Sequence, residues 1–128
     1  MLGLNLLFRL GRWLLVEPVE ESGLMPEGYY RSRALAALEE DDFPESLRYL
    51  KLAGPPDREA VRLLGQLIIL RLRLLKEQHQ RRCQAVEELQ QQTPPAAYSG
   101  RYQELLDQEY QALDLLGRYE QEAMAYLG

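Results

Sequence analysis

The sequence predicts an all-α protein built from helical hairpins, and three observations carry that expectation. Leu, Ala, Glu, Gln and Arg dominate, with apolar residues recurring at spacings of three and four. Alternating runs rich in Val, Ile and Thr, which would mark half-buried strands, are missing. Prolines and glycines interrupt the periodic stretches and divide them into five helices: within 1–17, Tyr29 to Glu40, Phe43 to Ala53, Asp57 to Gln92, and Arg101 to Leu127. The expected organisation is an N-terminal docking helix over residues 1–17, a linker over 18–28 and a helical domain over 29–128. That domain divides into a first hairpin over 29–54 and a long antiparallel hairpin over 57–127.

At 128 residues and 46% hydrophobic content, the chain can enclose a single core. A net charge of -5 argues against nucleic acid as a partner, because phosphate binding needs a basic face. Cys83 is the single cysteine, so no internal disulfide can form and a disulfide-stapled secreted scaffold is excluded. The expected location is cytoplasmic, or the inner face of a membrane.

The opening MLGLNLLFRLGRWLLV is apolar but shorter than the roughly 20 residues of a membrane span. Asn5, Arg9 and Arg12 interrupt it, and Glu17-Pro18 follow it, so it does not read as a cleaved secretory signal. On a helical projection those three polar residues form one narrow stripe. Leu4, Leu6, Leu7, Phe8, Leu10, Trp13, Leu14 and Leu15 fill the remaining arc. Burial by protein is one outcome, with Leu6, Leu7, Leu10, Trp13 and Leu14 as interaction residues. The other places Arg9, Arg12 and Trp13 at a membrane surface, with the arginines toward lipid phosphates.

Beyond the linker, Tyr29 starts a helix that ends in the acidic corner Glu39-Glu40-Asp41-Asp42. Asp42 is an expected N-cap, with Glu45 three residues on and Pro44 in the first turn, and Gly54-Pro55-Pro56 stops the next helix near Ala53. The stretch YRSRALAALEEDDFPESLRYLKLA resembles a single tetratricopeptide repeat. Tyr30 stands at the repeat's first aromatic position, Ala34 at its small-residue position, Phe43 at the aromatic after the turn and Ala53 at its late alanine. The resemblance implies two antiparallel helices in close contact and a role in protein–protein interaction. An ordinary αα-hairpin accounts for the same residues. One repeat cannot bury its faces alone, so the flanking helices or another chain must finish it.

The helix from Asp57 to Gln92 would be about 50 Å long, against a radius of gyration of about 14 Å for a compact chain of this size. Part of it must project. In VRLLGQLIILRLRLL, Leu63, Leu64, Leu67, Leu70, Leu74 and Leu75 are expected to form the core face, opposite Arg62, Gln66 and Arg73. The second half keeps only a thin seam of Cys83, Val86 and Leu89. The last helix is expected to cover it through Tyr98, Tyr102, Leu105, Glu109, Ala112, Leu116, Tyr119, Ala123 and Tyr126, with Leu106, Tyr110, Leu113, Met124 and Leu127 widening the face and Glu109 breaking the seam. Internal packing is expected for most of the tyrosines, with Tyr30, Tyr102, Tyr119 and Tyr126 as candidates for subunit contacts.

No phosphate-cradling glycine loop, nucleophile elbow or paired Glu-x-x-His is present. His79, Cys83 and Glu87 share one face but fall short of the ligands a structural zinc takes. Arg58, Arg62, Arg71, Arg73, Lys76, Arg81 and Arg82 mostly spread around their helix and are expected to pair with the acidic helices or to contact an acidic partner. The reading is therefore a non-catalytic adaptor or accessory subunit with no metal and no cofactor. Its expected partners are proteins in a complex or further copies of itself, with a membrane surface as the rival.

Overall fold

A computed structural model describes residues 25–26, 28–92 and 99–128. Within them the chain forms four α-helices and no strand: α1 (Tyr29–Glu39), α2 (Phe43–Ala53), α3 (Glu59–Gln92) and α4 (Ser99–Leu127). The fifth expected helix, over residues 1–17, lies outside the described residues, as does Tyr98.

The α1–α2 corner is built by its acidic residues. Asp41 takes the left-handed conformation, φ 56°, that ends many helices. This lets the Asp41 N–H donate to the Leu38 carbonyl at 3.0 Å and the Asp42 N–H to the Ala37 carbonyl at 2.9 Å. Asp42 then caps α2, its Oδ1 accepting from the Glu45 N–H at 3.3 Å. Glu45 does not return a bond to the cap. Its carboxylate takes both Arg48 donors at 3.1 Å instead. Asp41, at the sharpest point of the turn, reaches across to α3 and accepts two bonds from Arg71 at 2.7 and 2.8 Å. The hairpin closes tightly because α1 presents Ala34 and Ala37, both fully buried, where α2 crosses it. Gly54 ends α2 at φ 144°, a conformation that side-chain-bearing residues rarely adopt, and Pro55-Pro56 prevent continuation.

α3 begins at Glu59, two residues later than the expected start at Asp57. The Arg58 N–H still bonds to Pro55 O across a turn at 3.2 Å, and Arg62 N–H to Arg58 O at 2.9 Å begins the helical ladder. At 34 residues α3 is about 51 Å long, and α4 runs back along it with antiparallel pairings from Gly65–Leu127 through Lys76–Glu120 to His79–Glu109. The core occupies one end of this long hairpin. There Phe43, Leu47, Tyr49 and Leu50 of α2 meet Val61, Leu64, Ile68 and Leu72 of α3, with Leu116 and Ala123 of α4. The other end is a two-helix arm with a single buried pair of positions, Cys83 and Leu106.

Of the six leucines expected to form the core face of α3, Leu64 is buried and Leu75 packs against the core, while the other four face outward. Val61, Ile68 and Leu72 are at most 1% exposed, whereas Leu63, Leu67, Leu70 and Leu74 are 53, 48, 60 and 47% exposed. Both faces are apolar, so the helical period alone does not distinguish them. Gly65 marks the true inner face: a Cβ built there would lie 2.7 Å from Leu127 Cδ2, so the end of α4 closes on α3 at that point.

Candidate docking surface

The four exposed leucines follow spacings of four, three and four, which places them within about 60° of the circumference of α3. They form one continuous apolar ridge about 17 Å long. On one flank the ridge meets α1 in an open groove of about 540 Å³ lined by Leu35, Leu63 and Leu67 with Ala60, Tyr29 and Arg31 among its walls. Leu35 is itself exposed, because α1 turns Ala34 and Ala37 toward α2 and leaves its opposite side toward solvent. On the other flank Leu70 and Ile69 meet Met124 and Leu127 of α4 around a second hollow of about 440 Å³. Two groove walls and a leucine ridge between them make the surface that an amphipathic helix would cover.

Ion pairs join the helices around the core while the ridge faces outward. Arg71, beside the ridge, is clamped by Asp41; that hydrogen bond raises the already high pKa of the guanidinium against the opposing effect of burial. Arg73 and Lys76 converge on Glu120 of α4 at 3.1 and 2.9 Å. The hydrogen bond from Lys76, aided by that from Arg73, holds the Glu120 carboxyl below the usual carboxylate range, although burial pulls the other way. Lys51 of α2 reaches Glu122 at 2.7 Å. Much of the spread positive charge of α3 is thus spent on α1–α2 and α4, as its spacing leads one to expect.

Of the tyrosines selected from sequence, Tyr30, Tyr119 and Tyr126 pack against the core and all four are half-buried. Tyr30 is half-buried and stacks on Tyr49 at 6.3 Å between ring centres. Tyr119 packs on the core with its ring 5.9 Å from Phe43. Tyr126 is half-buried, and its hydroxyl donates to the Gly54 carbonyl, tying the end of α4 to the end of α2. Tyr102 is half-buried on the arm. Leu6, Leu7, Arg9, Leu10, Arg12, Trp13 and Leu14 lie outside the described residues. The surface that sequence reasoning missed is the leucine ridge, which it assigned to the core. The available signal was Gly65 with Val61 and Ile68 beside it: a small residue flanked by β-branched ones marks close helix approach better than leucine content does.

The arm uses its polar residues internally. Glu109, which interrupts the apolar seam of α4, accepts from His79 and lies 4.0 Å from Arg82. Glu87 accepts from the Tyr110 hydroxyl at 2.8 Å, and that bond raises the phenol pKa. The Cys83 thiol between them is pushed up by burial and then by the carboxylates of Glu109 and Glu87, which keeps it protonated and a poor nucleophile. Among the described residues no three His, Cys, Asp or Glu side chains converge to hold a metal ion. None of the described helices is long and apolar enough to cross a membrane.

No family model, curated protein or solved structure matches the chain. The functional reading therefore rests on the surface itself.

Proposed function

We propose that this chain is a non-catalytic helical adaptor or accessory subunit that mediates protein–protein interaction, with the leucine ridge of α3 and its two flanking grooves as the docking site. The observation that carries this reading is the half exposure of Leu63, Leu67, Leu70 and Leu74 in one line, with Leu35 and Met124 exposed on either side. Leaving so much apolar surface in water is costly unless a partner covers it. The resemblance of the α1–α2 hairpin to a tetratricopeptide repeat supports the same class of function, with Ala34 and Phe43 in the core and Tyr30 and Ala53 packed against it. Leu67→Glu with Leu70→Glu should abolish recovery of the specific partner that co-purifies with the tagged native protein, while Leu105→Glu, at an exposed site on α4, should not. Equal recovery by all three proteins would refute docking at the ridge. The peripheral-membrane alternative rests on Arg9, Arg12 and Trp13, and liposome co-sedimentation of an Arg9→Glu, Arg12→Glu variant tests it separately. Self-association along α3 and α4 is checked by light scattering, where a mass above one chain that falls in Tyr102→Lys with helix content retained would support it.

A further inference from the structure

The chain carries two apolar surfaces that need cover: the ridge on α3 and the arc of the N-terminal stretch. We propose that residues 4–15 of the same chain are the resident occupant of the ridge, so that an external partner must displace them. This concerns regulation of the docking site proposed above and rests on that reading.

Three observations select this occupant over a second copy. The first is where the described chain starts. Met25 and Pro26 line a hollow together with Arg58, Glu59 and Ala60 at the beginning of α3, and Ala60 also lines the groove that leads to Leu63 and Leu67. Residues preceding Met25 therefore start at the mouth of the groove. The second is length. Leu4 to Leu15 as a helix spans about 17 Å, the same as Leu63 to Leu74, and the nine intervening residues 16–24 can reach about 30 Å when extended. A helix running back from Met25 would lie antiparallel to α3, with Trp13 and Leu14 toward Leu63 and the first leucines toward Leu74. The third is polarity. Asn5, Arg9 and Arg12 occupy one stripe of the N-terminal helix, so laying the opposite arc on the ridge keeps both arginines in water. A tether this short gives the segment an effective concentration in the millimolar range, far above that of a second copy at ordinary protein concentrations.

Trp13 is the only tryptophan in the chain, so its fluorescence reports on this segment alone. The full-length protein should show blue-shifted Trp13 emission without lipid, unchanged on dilution. Leu67→Lys with Leu70→Lys should move the emission to the red and raise its quenching by iodide with helix content retained, whereas Leu105→Lys should leave both alone. Water-exposed Trp13 in the wild type, or emission unchanged by the ridge substitutions, overturns the proposal. So does a blue shift that grows with protein concentration, which would mean a second copy, or one that needs added anionic phosphatidylglycerol vesicles, which would mean a membrane surface. Should the lysine variants lose helix content, disulfide trapping decides. In a Cys83→Ser background, Leu10→Cys paired in turn with Leu63→Cys, Leu67→Cys or Leu70→Cys should give an intramolecular crosslink in at least one case, and none in any case overturns it. Partner recovery that depends on the ridge while Trp13 stays in water would sink this inference and leave the adaptor reading standing; the reverse pattern would do the opposite.

Discussion

The inner and outer faces of the first half of α3 have similar hydropathy and opposite fates. The inner face carries Val61, Leu64, Gly65, Ile68 and Leu72 and is buried against α1, α2 and α4; the outer carries Leu63, Leu67, Leu70 and Leu74 and is half exposed. The difference is one of shape more than of polarity. β-Branched side chains are stiff and short, and a glycine has no side chain at all, so neighbouring helices can come close on that side. Leucine, a strong helix former, serves on both faces, since Leu64 and Leu72 are buried while Leu63, Leu67, Leu70 and Leu74 are not. A helix can therefore be greasy all round and still pack on one side, leaving the other for a ligand.

The largest expected effect tests whether the two faces differ energetically. Leu72→Ala should cost about 2–5 kcal/mol in denaturant unfolding, since it leaves a cavity in a closed core. Leu70→Ala should cost about 1 kcal/mol or less, the value for a side chain covered on one side at most. Equal costs would break the distinction. On the inner side, Ser46 is fully buried with no partner for its hydroxyl, so Ser46→Ala should stabilise the protein by about 1 kcal/mol, seen as a higher denaturant midpoint. A loss of stability there would mean that the core is less apolar than its geometry indicates.

The rotation of α3 is sharpened by Glu120→Gln, with an expected cost under about 1 kcal/mol at neutral pH because its partner Arg73 is exposed. The folded-state pKa of Glu120 lies below its ordinary 4.5, so its contribution is present above that pH and is lost as pH falls through the folded value. Wild type and variant should thus differ at pH 7 and converge in acid. A constant gap would place the stabilisation elsewhere. The smallest effect is expected for Gly65→Ala. The new methyl meets only the movable tip of Leu127, and the gain of about 1 kcal/mol in helix propensity offsets that strain, for a net change within about 0.5 kcal/mol. A large loss would show that α4 is held against α3 more rigidly than one side-chain tip implies.

Legibility varied along the chain for physical reasons. The α1–α2 corner could be read residue by residue because caps and stops act locally: Asp42 accepts from a residue three positions on, and Gly54-Pro55-Pro56 ends α2. The start of α3 was read two residues early because the Pro55 carbonyl holds the Arg58 N–H in a preceding turn. On α4 the pattern survived with a small rotation, Leu106 turning in and Leu105 out, so that Cys83 and Leu106 form the seam of the arm. Glu109 looked like a break in that seam and is instead accommodated by His79 from the facing helix. Such a pairing is invisible until the register of the two helices is known.

By itself the sequence determined the helical class, the ends of α2 and the long hairpin, because propensity, capping and period are properties of neighbouring residues. Which side of α3 faces inward was decided only in three dimensions. That choice depends on where Ala34 and Ala37 let α2 approach, on the space Gly65 leaves for the Leu127 side chain, and on contacts such as Arg71–Asp41 and Arg73–Glu120, which join residues 30 and more positions apart. Periodicity reports that a face is apolar; only the neighbours settle whether it is covered.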